Sequence, residues 1–191
     1  MNDLANKIRE HLEGDFIGRY FPMLSRHGVT DQDVLVHSIG CSLWNTLGHE
    51  LGYSAITECP APIGGAANIR SDSVWFDPRT NVPVALIEFE RFDGTDAGKT
   101  KLISKLTNLV DAARRWNIES LLLVLSAWNS GLVSAPDMEA LEKQFASGML
   151  DRRGSKIHPP LGASLLLQRF ILRAGEDQLL RFNQVIYRPT S

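Results

Sequence analysis

The sequence predicts an α/β protein in which a mixed central β-sheet is flanked by α-helices and preceded by a helical N-terminal extension. Three observations carry that reading. Helical and strand-like hydrophobic periods alternate along the 191 residues. Two β-rich runs, Asp72 to Phe76 and Val82 to Phe92, flank an Asp-Pro turn and read as a hairpin. Ser120 to Ser126 (Ser-Leu-Leu-Leu-Val-Leu-Ser) is a short unbroken apolar run, the signature of a strand covered on both faces. Helix, hairpin, helix, strand, helix, strand is the order of a layered α/β domain. We expect one domain, with residues 1–28 as the extension and 29–191 as the core.

Each element has a local cause. Leu4, Ile8 and Leu12 recur at helical spacing over residues 3 to 13. Phe16 to Arg26 reads as a second helix, interrupted near Pro22 and stopped by Gly28. Thr30 is an N-cap candidate, Asp31 and Asp33 suit a first turn, and Leu35, Ile39, Leu43, Leu47 and Leu51 follow every four residues, so a helix is expected from 31 to 51. Tyr53 to Thr57 is a short strand, followed by a Pro/Gly loop. After the hairpin, Asp96 to Trp116 is expected to be a helix with Leu102, Ile103, Leu106, Leu109, Val110 and Ala113 on its inner face. A helix near 135–147, a basic loop at Asp151 to Lys156 and a buried strand at 163–172 follow. Leu179 to Tyr187 fits strand or helix equally.

Composition limits the function classes. Hydrophobic residues make up 43% and charged residues 22%, which excludes a disordered or fibrous chain. The formal charge of −2 means that a polyanion would have to meet a local basic patch. Cys41 and Cys59 show no metal-ligand spacing and are too few for a disulfide framework, so a cytoplasmic location is expected. The first residues, Met-Asn-Asp-Leu-Ala-Asn-Lys, carry no apolar signal segment. The longest apolar run, Leu121 to Leu125, is far short of a membrane span, so no membrane partner is expected.

Glu88 and Glu90 interrupt an otherwise apolar strand, and their spacing points both to one side of a sheet. Charges placed there are costly unless paired, hydrated or bound to a cation. With Thr80 at the centre of the turn, residues whose numbers sum to 160 face each other: Phe76 with Val84, Val74 with Leu86, Asp72 with Glu88. A turn longer by one residue would break that register. Three carboxylates held by a rigid hairpin, Asp72, Glu88 and Glu90, suit Mg²⁺ (or Mn²⁺), which takes carboxylates together with water and phosphate oxygens. The competing reading is a hairpin whose glutamates lie on a solvated face. Asp77 is a rival for the Asp72 role, although Asp-Pro at a turn has its own local job.

An Asp, about fifteen residues, then Glu-x-Glu on the second strand of a hairpin resembles the PD-(D/E)XK nuclease superfamily, over roughly residues 31 to 127. The resemblance implies a restriction-endonuclease-like α/β/α core. It also implies a divalent-metal-dependent nuclease, with Asp72 and Glu88 as metal ligands and Glu90 in the position usually held by Lys. Some type II restriction enzymes have Glu there. Glu90 would then serve as a general base or a further metal ligand. In this family a lysine displaced to the following helix can replace the missing one, and Lys101 is the candidate, with Lys105 one turn further away. Lys99, Lys105, Arg152 and Arg153 are candidate nucleic-acid contacts. Asp33, His37 and Glu50 on the leading helix are available to join the site, and no spacing singles one out.

The remaining features read as structural. Trp44, Trp75, Trp116 and Trp128 are core or rim aromatics, with Trp75 on the face opposite Asp72. Cys59 has no basic partner near it in sequence, and Gly64-Gly65 lacks the Lys-Ser/Thr of a phosphate loop. The expected activity is an Mg-dependent endonuclease acting on nucleic acid, DNA above all. The alternative is an inactive nuclease-fold module that binds nucleic acid or protein. A homodimer or a protein partner could supply specificity in so short a chain.

Overall fold

A computed structural model of the chain describes residues 3–30, 33–64, 68–130 and 132–189, with the side chains of 33–35 and 189 outside that description. Helices α1 (Asp3–Glu13) and α2 (Phe16–Tyr20) lead through one π-helical turn (Met23–His27) to α3 (Asp33–Glu50). Strands β1 (Ser54–Pro60), β2 (Arg70–Phe76) and β3 (Pro83–Arg91) follow, then α4 (Asp96–Trp116), β4 (Leu122–Asn129) and α5 (Met138–Ser147). The short pair β5 (Met149–Leu150) and β6 (Lys156–Ile157) precedes β7 (Ser164–Ala174) and β8 (Leu180–Pro189). The ambiguous tail is therefore a strand, antiparallel to β7.

Six strands form one mixed sheet in the order β1-β2-β3-β4-β7-β8. The β3–β4 and β4–β7 pairs are parallel and the outer pairs antiparallel. β4 is central and buried along its whole length, as its unbroken apolar run requires. One face carries α1, α2 and α3 over Trp75, Phe89, Trp128 and Phe170; the other carries α4 and α5 over Val74, Leu86, Leu123 and Leu125. Trp75 and Val74 thus point to opposite layers, as strand alternation dictates. Among the described residues, no helix is long and apolar enough to cross a membrane.

Some details depart from expectation. The inner stripe of α3 is Val36, Gly40, Leu43, Trp44 and Leu47, with Ile39 only partly buried. A strict four-residue repeat drifts around a helix of 3.6 residues per turn, so the buried stripe changes row. Asp31 lies outside the described residues. Ile103 is 37% exposed because it borders the α4 stripe that Leu102 and Leu106 centre. The hairpin register holds for Ser73 with Ile87, Val74 with Leu86 and Trp75 with Ala85, but Phe76 pairs with Pro83 rather than Val84. A bulge between Trp75 and Phe76 absorbs the extra turn residue.

Candidate active site

The β2–β3 ladder ends at Ser73 opposite Ile87, and Asp72 takes over one residue further on. Its Oδ2 accepts the Phe89 N–H at 2.7 Å, so a carboxylate stands where a ladder carbonyl would have been. Across the other ladder, Thr57 pairs with Ser73 and Cys59 with Ser71, which sets Glu58 opposite Asp72. Glu58 has φ of 51°, in the left-handed region. Holding a side chain other than glycine there costs about 1–3 kcal/mol, a cost that tends to gather at functional sites.

Asp72, Glu88 and Glu90 are all buried, at 4%, 0% and 7% exposure, so the solvated-face reading is excluded. Both lysines expected near the site reach it. Lys105 Nζ lies 2.6 Å from Glu88 Oε2 and 3.8 Å from Glu90 Oε2, while Lys101 Nζ lies 2.7 Å from Glu90 Oε1. The order expected of the two is reversed, since Lys105 takes the deep position and Lys101 the outer one. The reason is the crossover. β3 and β4 are parallel, so α4 runs back against β3. Four helical residues rise about 6 Å and two strand residues about 6.6 Å, so stepping from Lys101 to Lys105 matches stepping from Glu90 back to Glu88. That match was available in the sequence.

Helix α3 supplies the third wall. A Cβ built at Gly40 would overlap the Phe89 ring, so glycine lets α3 settle directly on β3. His37 and Cys41 flank Gly40 on the same helix face. His37 Nε2 lies 3.8 Å from Asp72 Oδ1, 3.9 Å from Glu58 Oε1 and 3.5 Å from Cys41 Sγ. Of the three acidic or histidine candidates on this helix, His37 joins the site. Glu50 is held instead by Arg19 at 2.7 Å and the Tyr20 hydroxyl at 2.6 Å, and the Asp33 side chain lies outside the described residues. Cys41 and Glu58 were not anticipated. Cys41 falls four residues after His37, a spacing that signals a shared helix face, whereas Glu58 becomes visible only once the β1 register is known.

The other basic candidates lie elsewhere. Lys99 pairs with Asp96 at 2.8 Å on the exposed first turn of α4. Arg152 and Arg153 are exposed in the β5–β6 turn, on the connection entering the N-terminal end of β7. Glu90 sits at the C-terminal end of β3, so the sheet does not bring these arginines to it. Asp77 keeps its turn role, with Oδ1 accepting the N–H groups of Arg79 and Thr80. Cys59 is buried, its thiol donating to the Pro60 carbonyl.

Electrostatics favour a cation. Burial, and then Asp72, push the Glu88 carboxyl up to about 8 despite Lys105. Burial also raises the Asp72 carboxyl, against the pull of Lys105, the Phe89 N–H and His37. Burial acts to lower the Lys105 ammonium, but Glu88, Asp72 and Glu90 together hold it above its ordinary value. Burial, Asp72 and Glu58 push the Cys41 thiol up to about 12. Near neutral pH the proton on Glu88 lets Asp72 and Glu90 balance the two ammonium groups, and a divalent ion that displaces this proton would take its place. Glu88 Oε1 is buried with no hydrogen-bond partner among the described residues. A buried carboxyl oxygen left in that state is costly, and a hard divalent ion that displaces the proton would relieve it. Among the described residues, the donor group that converges within 4.8 Å is His37, Cys41, Glu58 and Asp72, which takes in Asp72 but neither Glu88 nor Glu90. Beside them opens a cleft of about 710 Å³ lined by His37, Glu90, Arg91, Lys101, Lys105 and Trp128, with the Arg91 guanidinium 5.4 Å from the centre of the Trp128 ring. No family model, curated protein or solved structure matches the chain.

Proposed function

We propose that the chain is a metal-dependent nuclease that hydrolyses phosphodiester bonds, with DNA the expected substrate and Mg²⁺ or Mn²⁺ the expected cofactor. The observation that carries this is the buried Asp72–Glu88 pair at the head of a hairpin, with Glu88 Oε1 unpartnered among the described residues and Lys105 beside it. That arrangement accords with the resemblance to PD-(D/E)XK nucleases.

Asp72 and Glu88 would hold the ion, with Glu90 as a further oxygen ligand or base. When bound, the ion supplies Lewis-acid polarisation of a phosphoryl oxygen and lowers the pKa of a coordinated water. Glu90 Oε1 accepts the Arg91 N–H and pairs with Lys101, which leaves Oε2 as the atom able to take a proton from the attacking water. Lys105, held between Glu88 and Glu90, places positive charge where the phosphoryl group becomes more anionic. Lys101, 58% exposed at the mouth, neutralises the incoming phosphate, and Arg91 lines the same wall.

One observation favours the inactive binding module instead: Glu88 and Glu90 each already have a lysine within 2.7 Å, an arrangement that needs no metal. Incubation of supercoiled plasmid with the protein separates the two. The nuclease converts it to relaxed and linear forms with Mg²⁺ or Mn²⁺, stops in EDTA and is inert as Glu88→Gln. Retardation of DNA in a gel with no cleavage in any divalent metal selects the binding module.

A further inference from the structure

We propose that His37, Cys41, Glu58 and Asp72 hold one divalent ion of the zinc class, in a site closed by four protein ligands where α3 meets β1 and β2. The donor atoms come from three elements and all lie within 4.8 Å of one another. Four donors placed tetrahedrally around zinc, with bonds of about 2.0–2.3 Å, lie about 3.3–3.7 Å apart. His37 Nε2 is 3.5 Å from Cys41 Sγ, 3.8 Å from Asp72 Oδ1 and 3.9 Å from Glu58 Oε1, at or just above that range. Glu58 is exposed and His37 partly exposed, so both can turn toward the buried Cys41 and Asp72 by side-chain torsion.

A second observation points the same way. The His37 ring places Nδ1 3.3 Å from the Phe89 carbonyl oxygen. A carbonyl can only accept, so Nδ1 donates to it and Nε2 is the ring nitrogen that faces the other three donors. Metal-binding histidines are held by an outer hydrogen bond of this kind, which fixes the tautomer and the ring plane. The same Phe89 donates its N–H to Asp72 Oδ2, so one residue of β3 orients two of the four ligands.

The donor chemistry selects the ion. Thiolate and imidazole are poor ligands for Mg²⁺, which prefers oxygen and keeps its waters, and good ligands for zinc-class ions. Four protein ligands leave no open position, which marks a structural rather than a hydrolytic zinc site. On binding, the Cys41 thiol gives its proton to solvent and its sulfur forms the bond to the ion. With a thiolate, two carboxylates and a neutral imidazole around it, the ion clamps α3 to the two strands that present Asp72. This site shares Asp72 with the proposed phosphodiester centre and its His37 lines the same cleft, but it stands on its own geometry and none of its other three ligands is given a role in cleavage.

Cobalt(II) is the probe, because a thiolate ligand gives it an intense near-ultraviolet charge-transfer band and a tetrahedral site gives strong visible bands. Titrating CoCl₂ into the metal-stripped full chain should produce both, saturating at one equivalent. Zn²⁺ should abolish them, and a large excess of Mg²⁺ should not. Cys41→Ser should lose the charge-transfer band, and His37→Gln should weaken Co²⁺ binding by about tenfold or more. In the wild-type chain, which needs no variant to fold, Zn²⁺ should slow alkylation of Cys41 and leave that of Cys59 unchanged. No thiolate band at saturating Co²⁺, a band that survives Cys41→Ser, or equal protection of both cysteines overturns the proposal. Glu88→Gln separates the two readings: it should keep the cobalt bands while failing to cut plasmid. A wild type that cuts plasmid without a thiolate band refutes the zinc-class site alone.

Discussion

Glu88 stores a proton that can be weighed. Its side chain is fully buried, and burial with the neighbouring Asp72 raises its carboxyl from 4.5 to about 8. Between those two values the folded protein keeps a proton on Glu88 that the unfolded chain has released. Stability therefore falls as pH rises through this window, at about 1.4 kcal/mol per pH unit where the slope is full. Integrated from pH 6 to pH 8, where the slope flattens near the upper limit, the loss is about 2 kcal/mol. Glu88→Gln has nearly the same shape and no proton to lose, so it lacks this slope. The difference in unfolding free energy between variant and wild type should shift by about 2 kcal/mol in favour of the variant over that interval. Urea unfolding of both proteins in EDTA at the two pH values measures it, and other titrating groups cancel in the comparison. A difference that stays level would refute the reasoning: Glu88 would then be ionised throughout, as one half of an ion pair with Lys105.

Three further outcomes follow from the same geometry. Mg²⁺ or Mn²⁺ binding near neutral pH should release close to one proton from Glu88, read as a dependence of the calorimetric heat on the ionisation heat of the buffer; Glu88→Gln should show none. Lys105→Met should lower the cleavage rate at saturating DNA by about 10²–10³-fold, whereas Lys101→Ala should act mainly on KM, since it is the outer and more exposed of the two. Equal effects of the two lysines in single-turnover assays would contradict the depth order. Gly40→Ala, which forces a methyl group into the Phe89 ring, should cost about 1–3 kcal/mol or more and lower the melting temperature; an unchanged value would mean that α3 does not rest on β3 as described.

The sequence made the layers and the carboxylates legible because both are written in strand parity. Val74, Leu86, Glu88 and Glu90 share one face by spacing alone, and charge in an apolar strand announces itself. The bulge at Trp75/Phe76 was not legible, because it depends on how the turn closes through the Asn81 N–H to the Asp77 carbonyl. The lysine order follows distance in space rather than along the chain, because the return direction of α4 decides which lysine lies deep. His37 and Cys41 gained significance only from Gly40, whose missing side chain brings α3 down onto Phe89. Glu58 depended on a left-handed backbone within a strand, which no local propensity specifies for glutamate.

Anomalous diffraction from crystals soaked in Mn²⁺ tests the central claim, that the Asp72–Glu88 carboxylates form a divalent-cation centre. The account predicts an anomalous peak within bonding distance of Glu88 Oε1 and an Asp72 oxygen, with Lys105 drawn back from its 2.6 Å contact with Glu88. No peak at Glu88 under saturating Mn²⁺, with the Glu88–Lys105 contact intact, would contradict it.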